Sequence, residues 1–258
     1  MTKIHIITTT VGEPQLDFQI KQISDCIPLH GNTIKHTIIK NLPAKASMQK
    51  FYNLSKSCQF SDYILKLDGD MTFVDLQKFT FLRAILNTEK PQRLTVPVYD
   101  HITNCSIYGC HFIRTDSIPS RVTITETNRD DWIAKIPGLE LSTKLHFIDH
   151  CRLPTEDQKF IFGFNRGHKL RHKRQNTLST LWLLILFSPK RNIQGIAGYI
   201  SGFYEAEANF DNDKVILNNH KSIAFQKFGL IKILIINPLK SIKSIYQACK
   251  MKMATPRK

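Results

Sequence analysis

Between residues 3 and 98 the chain alternates between two hydrophobic periods, and this alternation restricts it to one fold class. Residues 3–10 form an apolar run into Thr8, Thr9 and Thr10, and Gly12 and Pro14 stop it as they would stop a buried strand. Leu16, Ile20 and Ile23 then recur at helical spacing, up to a predicted break at Pro28 and Gly31. The β-branched stretch 33–39 predicts a second strand. Ala46, Met48, Phe51, Tyr52, Ser55 and Cys58 fall on one side of a second helix. Residues 63–67 read as a short buried strand that ends on Asp68. A third helix follows, carried by Leu76, Phe79, Leu82, Ile85 and Leu86, and residues 94–98 form another strand. Strands and helices in this order predict an α/β sheet with right-handed crossovers. Such sheets bind ligands beyond the carboxyl ends of their strands, which is where Asp68 and Asp70 fall.

The remainder is less regular. Residues 103–114 suit a hairpin or strand pair, and 155–175 and 178–187 are helical by composition. Residues 221–258 read as helix broken near Asn237 and Pro238. There Leu239, Ile242, Ile245, Tyr246 and Cys249 recur every three or four positions among Lys240, Lys243, Lys250 and Lys252, the pattern of an amphipathic basic helix. We therefore expect a main domain over 1–212 and a basic helical extension over 213–258. The six cysteines show no paired metal-binding rhythm and suit scattered thiols in a reducing compartment.

Charge separates the two halves. Residues 1–157 carry 18 basic and 17 acidic side chains, whereas 158–204 carry eight Lys or Arg and no acid, and 214–258 carry ten and again no acid. A balanced front and a wholly basic back point to chemistry in the first part and contact with something anionic in the second. Residues 166–174 add a cluster of Arg166, Lys169, Arg171, Lys173 and Arg174, which suits a diphosphate, an anionic lipid or a solvated helix face.

The segment with the most chemistry is Lys66-Leu67-Asp68-Gly69-Asp70. Two carboxylates separated by one residue at a strand terminus face the same rim, and hard divalent cations take carboxylate oxygens. A glycine between them lets backbone come close to a ligand. An Asp-x-Asp pair alone is a weak signal, and a solvated acidic turn would look the same. The strand leading into it and the helix after it strengthen it.

The stretch 61–71, with the opening strand Ile4 to Thr10 and the following Glu13, resembles GT-A type glycosyltransferases, bacterial family-2-like members especially. The resemblance covers residues 1 to about 115 and is fragmentary beyond. It implies a GT-A fold, a Rossmann-like nucleotide-sugar-binding mixed sheet flanked by helices. It implies Mn²⁺ or Mg²⁺ held by Asp68 and Asp70, and a UDP-sugar or GDP-sugar donor near Thr8, Thr9, Glu13, Lys66 and Asp68. A third metal ligand from late in the chain would be His150, with His146 the lesser candidate. An inverting enzyme would also need a general base; Asp131 and then Asp130 are preferred, with Glu126 in the same interval. The aromatic Trp132 beside them would suit a sugar platform.

The acceptor implied is a hydroxyl of a glycan or lipid-linked glycan, as in lipopolysaccharide or capsule synthesis. A basic tail would then hold the protein on an anionic membrane surface, since each lysine near such a surface adds on the order of 1 kcal/mol. Leu181 to Phe187 is apolar enough to dip in, or to be core. No stretch suits a secretory leader or a spanning helix, so the expected location is cytoplasmic, peripheral on the inner face of the membrane. Two other readings remain. One is a Mg²⁺-dependent nucleotidyltransferase, which also uses paired aspartates. The other is a basic nucleic-acid-binding protein, disfavoured because no zinc-finger, RNP or helix-turn-helix pattern is present. Walker A, G-x-S-x-G, H-E-x-x-H and G-x-G-x-x-G motifs are also missing.

Overall fold

A computed structural model describes residues 2–125, 129–172, 178–186 and 193–204. The chain divides into two compact units between Pro154 and Thr155. The proposed extension 213–258, with its amphipathic helix, lies outside the described residues, as does Glu126.

The first unit is built on one sheet. Its strands are β1 (Ile4–Thr10), β2 (Ile34–Lys40), β3 (Tyr63–Asp68), β4 (Met71–Phe73), β5 (Arg93–Asp100), β6 (Cys105–Arg114), β7 (Leu139–Glu140) and β8 (Ile148–His150). They lie in the order β2-β1-β3-β6-β5-β8-β4, and β7 pairs with β5 off this path. All run in one direction except β6 and β4, so the sheet is mixed. The expected α/β architecture is present. The region expected as a hairpin or strand pair is one strand, β6, and it forms its hairpin with β5. Pro97 lies inside β5 without an N–H to donate, and the register with β6 shifts by a bulge at Val96/Pro97.

The helices α1 (Leu16–His30), α2 (Ala44–Lys56), α3 (Leu76–Thr88) and α4 (Asp131–Ala134) cover the two faces. Period-two alternation sorts the strands: Ile4, Ile6, Tyr63, Leu65 and Leu67 pack with Ile23 of α1 and Phe79, Leu82 and Leu86 of α3. Ile7 and Ile64 point the other way, to Met48, Phe51 and Tyr52 of α2 and to Trp132 and Ile133 of α4. Helix α1 runs past Pro28 to His30 rather than breaking there. Gly31, at φ 63 and ψ −166, takes a positive-φ backbone open to glycine and ends it.

The second unit contains α5 (Glu156–His172), α6 (Leu178–Leu186) and α7 (Ile193–Tyr204). A Cβ on Gly163 would lie 1.8 Å from the carbonyl oxygen of Gly195, and one on Gly198 would lie 2.0 Å from that of Phe160. Gly167 and Gly202 are equally tight against Tyr199 and Phe164. The two helices therefore touch backbone to backbone, a packing that only glycine permits. Helix α7 carried no sequence expectation, because three glycines lower its intrinsic helix propensity. Among the described residues no helix is long and apolar enough to cross a membrane.

Candidate active site

The parallel strands β1, β3, β5 and β8 end at one rim, and they bring Thr9 and Thr10, Asp68, Asp100 and His150 to it. The rim is closed from one side by α1. Gln19 donates to the carbonyl of Asp68 at 2.8 Å and also to that of Met71, while its own oxygen accepts from Thr8 at 2.8 Å. Gln22 exchanges bonds with the backbone of Phe73, at 2.7 and 3.1 Å. Two amides three residues apart on one helix face thus hold the turn that carries the acidic pair.

The two aspartates have different surroundings. Asp68 accepts from Thr9 Oγ1 at 2.9 Å and from Lys66 Nζ at 2.6 Å, and its side chain is 40% exposed. Burial would release the Lys66 proton, but Asp68 and then Asp130 outweigh it and hold the ammonium above its ordinary pKa. Asp70 turns inward. One of its oxygens, Oδ2, lies 3.3 Å from His150 Nε2 and accepts from the Cys151 thiol at 3.0 Å. The other, Oδ1, is fully buried and has no hydrogen-bond partner among the described residues.

His150 is held between two carboxylates. Its Nδ1 donates to Asp100 Oδ1 at 2.7 Å, and Asp100 Oδ2 accepts from Thr103 N at 2.9 Å. Burial works against the imidazolium, yet Asp70 and Asp100 together keep the His150 pKa well above its usual value. For Asp70 burial raises the pKa, and His150 and Cys151 more than reverse it. Burial pushes the Cys151 thiol up to about 12.

Gly69 is close to protein, not only to a prospective ligand. A Cβ there would meet Glu13 Oε2 at 2.5 Å and Thr10 Oγ1 at 2.7 Å. Glu13 in turn accepts from Thr10 Oγ1 and from Val11 N at 3.0 Å, which folds the loop after β1 onto the acidic turn. Burial first, and then the charge of Asp70, raises the Glu13 pKa against these hydrogen bonds.

The structure therefore gathers Asp70 and His150, and adds Cys151 to form one cluster of potential ligands. Asp68 stands outside that cluster, locked by Lys66 and Thr9. Thr8 is fully buried and its hydroxyl is engaged by Gln19 and by His36 Nε2 at 3.0 Å, so it faces the interior. His146 is turned to Asp149, which accepts from it and from His101 at 2.8 Å each. Asp130 and Asp131 start α4 on the Lys66 side of the sheet, where Asp130 acts on both Lys66 and His111. Trp132 is only 5% exposed and packs edge-on against Tyr52 at 5.6 Å. It is core, not an exposed sugar platform. Arg166 lies on α5, 5.1 Å from the Phe162 ring.

The cluster fits a divalent cation on its own chemistry. A buried carboxylate oxygen without a donor is costly, and a cation satisfies it. A histidine whose Nδ1 hydrogen is fixed by a carboxylate presents Nε2 as the ligating atom, the arrangement common behind metal-bound imidazoles. Asp100, Cys151 and Gln19 were not singled out from sequence. Asp100 had a signal equal to that of Asp68, since it also ends an apolar strand.

No protein-family model and no curated protein matches the chain. Among solved structures it is similar to a glycosyltransferase involved in the glycosylation of the major capsid of PBCV-1, with TM-score 0.40 and 11% identity over 59% of this chain and 94% of that one. Residues 1–349 of S. aureus TarS give TM-score 0.37 and 8% identity over 78% and 72% of the two chains. The 4-diphosphocytidyl-2C-methyl-D-erythritol synthase of Anaerococcus prevotii gives 0.34 and 10% over 57% and 87%.

Proposed function

We propose that the chain is a metal-dependent glycosyltransferase that moves a sugar from a nucleotide-sugar donor to a hydroxyl acceptor. The observation that carries this reading is the Asp70 carboxylate at the carboxyl ends of parallel strands, whose Oδ2 lies 3.3 Å from His150 Nε2 and whose buried Oδ1 has no hydrogen-bond partner among the described residues. A divalent cation bound there would act as a Lewis acid toward the diphosphate leaving group of the donor.

The chain's own residues divide the remaining work. Asp70 and His150 hold the cation, and Asp100 fixes the ring of His150. Asp68, half-exposed and braced by Lys66 and Thr9, faces outward for the nucleotide portion of the donor. Lys66 supplies a buried positive charge beneath it. For an inverting reaction Asp131 or Asp130 is the base that takes the proton of the acceptor hydroxyl. The acceptor is a surface glycan or its lipid-linked precursor, and the basic segment 214–258 holds the protein on an anionic membrane.

Isothermal titration of UDP, GDP and CMP, with and without Mn²⁺, on wild type and Asp70→Ala tests this reading. We expect one nucleotide to bind only with the metal and to lose that binding in the variant. Equal binding with and without metal, or none of any nucleotide, would overturn it.

A further inference from the structure

Asp70 Oδ2, His150 Nε2 and Cys151 Sγ form a triangle of donor atoms. Its edges are 3.3 Å from oxygen to nitrogen, 3.6 Å from nitrogen to sulfur and 3.0 Å from sulfur to oxygen. A tetrahedral cation bonded at about 2.0 Å to oxygen and nitrogen and about 2.3 Å to sulfur separates its donors by about 3.3 Å for O–N and about 3.5 Å for pairs with sulfur. Two edges already have these lengths. The third is shorter by about 0.5 Å because the thiol hydrogen now bridges sulfur and oxygen, and a cation in its place would relax it.

The backbone at Cys151 bears on the same site. Cys151 is a non-glycine residue at φ 53, a left-handed conformation that a side chain beyond glycine rarely adopts. That conformation is pinned by a bond from Cys151 N to the carbonyl of Asp70 at 3.0 Å, and the thiol lies against the Asp70 carboxylate.

We propose that Cys151 is the third protein ligand beside Asp70 and His150, so that the site takes a thiolate-accepting cation such as Zn²⁺ or Co²⁺ in preference to Mg²⁺. The proposal rests on the metal-dependent reading above and narrows it. Mg²⁺ demands an oxygen shell, whereas a thiolate, an imidazole and one carboxylate oxygen match borderline cations. On binding, the Cys151 thiol and the His150 Nε2 position each give up one proton to solvent, and the sulfur and nitrogen lone pairs enter the metal bonds. Nδ1 keeps its hydrogen on Asp100. Three protein donors leave coordination to spare for a non-protein oxygen, as in catalytic zinc sites.

Cobalt absorption tests the sulfur directly. The full chain is titrated with Co²⁺ and the sulfur-to-cobalt charge-transfer band is followed in wild type, Cys151→Ser, Cys151→Ala and Asp70→Asn, each checked for its fold by circular dichroism. Zn²⁺ and Mg²⁺ affinities are measured by calorimetry on the same proteins. We expect the band in wild type, its loss in both Cys151 variants, Zn²⁺ binding weakened by at least about tenfold in them, and Mg²⁺ binding far weaker than Zn²⁺ throughout. Cobalt binding that needs Asp70 yet shows no such band, or a band that survives in the Cys151 variants, overturns the ligand role and leaves the metal-dependent reading standing. Failure of every cation to bind in an Asp70-dependent way overturns both.

Discussion

His150 Nδ1 lies 2.7 Å from Oδ1 of Asp100, a carboxylate with no exposure to solvent, while the Nε2 of the same ring faces Asp70 at 3.3 Å. Strand pairing makes this arrangement. Asp100 and His150 are direct partners in the β5–β8 register, and His150 is also opposite Met71, one residue after Asp70, in the β4–β8 register. A three-residue strand thereby places one imidazole between the ends of two others.

Replacing Asp100 by Asn should expose the importance of that buried carboxylate. Asp100 accepts from His150 Nδ1 and from the backbone and hydroxyl of Thr103, and a neutral amide has one oxygen for these donors. The expected result is a metal affinity lower by about tenfold to a hundredfold, together with a stability loss of about 1–3 kcal/mol. Calorimetry gives the first, and the His150 ring nitrogen shifts report whether Nδ1 still carries the hydrogen. Unchanged metal affinity with reduced stability would make Asp100 a purely structural residue.

Gly69→Ala should damage the site out of proportion to its size. The new methyl group would lie 2.5 Å from Glu13 Oε2 and 2.8 Å from Thr10 Cβ, so the loop after β1 and the acidic turn must separate. Overpacking of this kind costs about 1–3 kcal/mol. Nucleotide binding is expected to fall by more than the global stability does, because the displaced groups are the rim itself. A variant that binds nucleotide as wild type does would show that the contact between Glu13 and the acidic turn has no part in recognition.

These residues also show how much was legible in the sequence. Strand positions such as Leu65 and Leu67 against Ile64 were readable because period-two alternation sorts side chains between faces. Asp68, Asp70 and His150 were legible as polar residues ending apolar runs. Gln19 was not, because an amide on the buried side of a helix breaks the apolar pattern that marks that side. Cys151 was hidden for another reason. Its role depends on β4 and β8 pairing, with Met71 opposite His150, across a long stretch of chain, and no local pattern encodes that pairing. Trp132 was misassigned because sequence proximity to Asp131 says nothing about which way an indole points. Helix α7 was missed because its glycines are read by propensity as breakers, while the packing against α5 requires them.

Stability should fall on mild acidification. His5 is 3% exposed and bonded to Thr37 at 2.8 Å; burial first, then the charges of Lys35 and His36, lower its pKa to about 4. His36 is also lowered to about 4 by burial, and so is His111, by burial and then Lys66. All three are depressed below the unfolded value, so the unfolded chain binds more protons. Their contribution is complete above the ordinary histidine pKa of about 6.5 and is lost as the pH falls toward about 4. His5 alone gives a slope of up to about 1.4 kcal/mol per pH unit in that window. His150 has the opposite sign, but the stability from its raised pKa is fully present below about 6.5 and is lost only as the pH rises above that value, so it leaves the slope between about 6.5 and 4 unchanged. Urea midpoints measured from pH 6.5 to 4.5 should therefore decline, and a flat profile would contradict the buried neutral imidazoles.

The second unit offers a sharper test of packing, because its central contact has no room for a side chain. Gly163→Ala would put a methyl carbon 1.8 Å from the carbonyl oxygen of Gly195, and that oxygen belongs to backbone that cannot swing aside as a side-chain end would. Helices α5 and α7 would have to part, losing the close backbone contacts along Gly163, Gly167, Gly198 and Gly202 at once. A helix-propensity argument predicts the reverse, since alanine favours an isolated helix over glycine by about 1 kcal/mol. The two effects oppose each other, and the packing loss, about 1–3 kcal/mol or more, is the larger. Limited proteolysis should accordingly cut the Ala variant faster within 155–204 while leaving the sheet strands between Ile4 and His150 protected. Equal or slower cleavage would mean that propensity wins and that the two helices do not meet through their glycines.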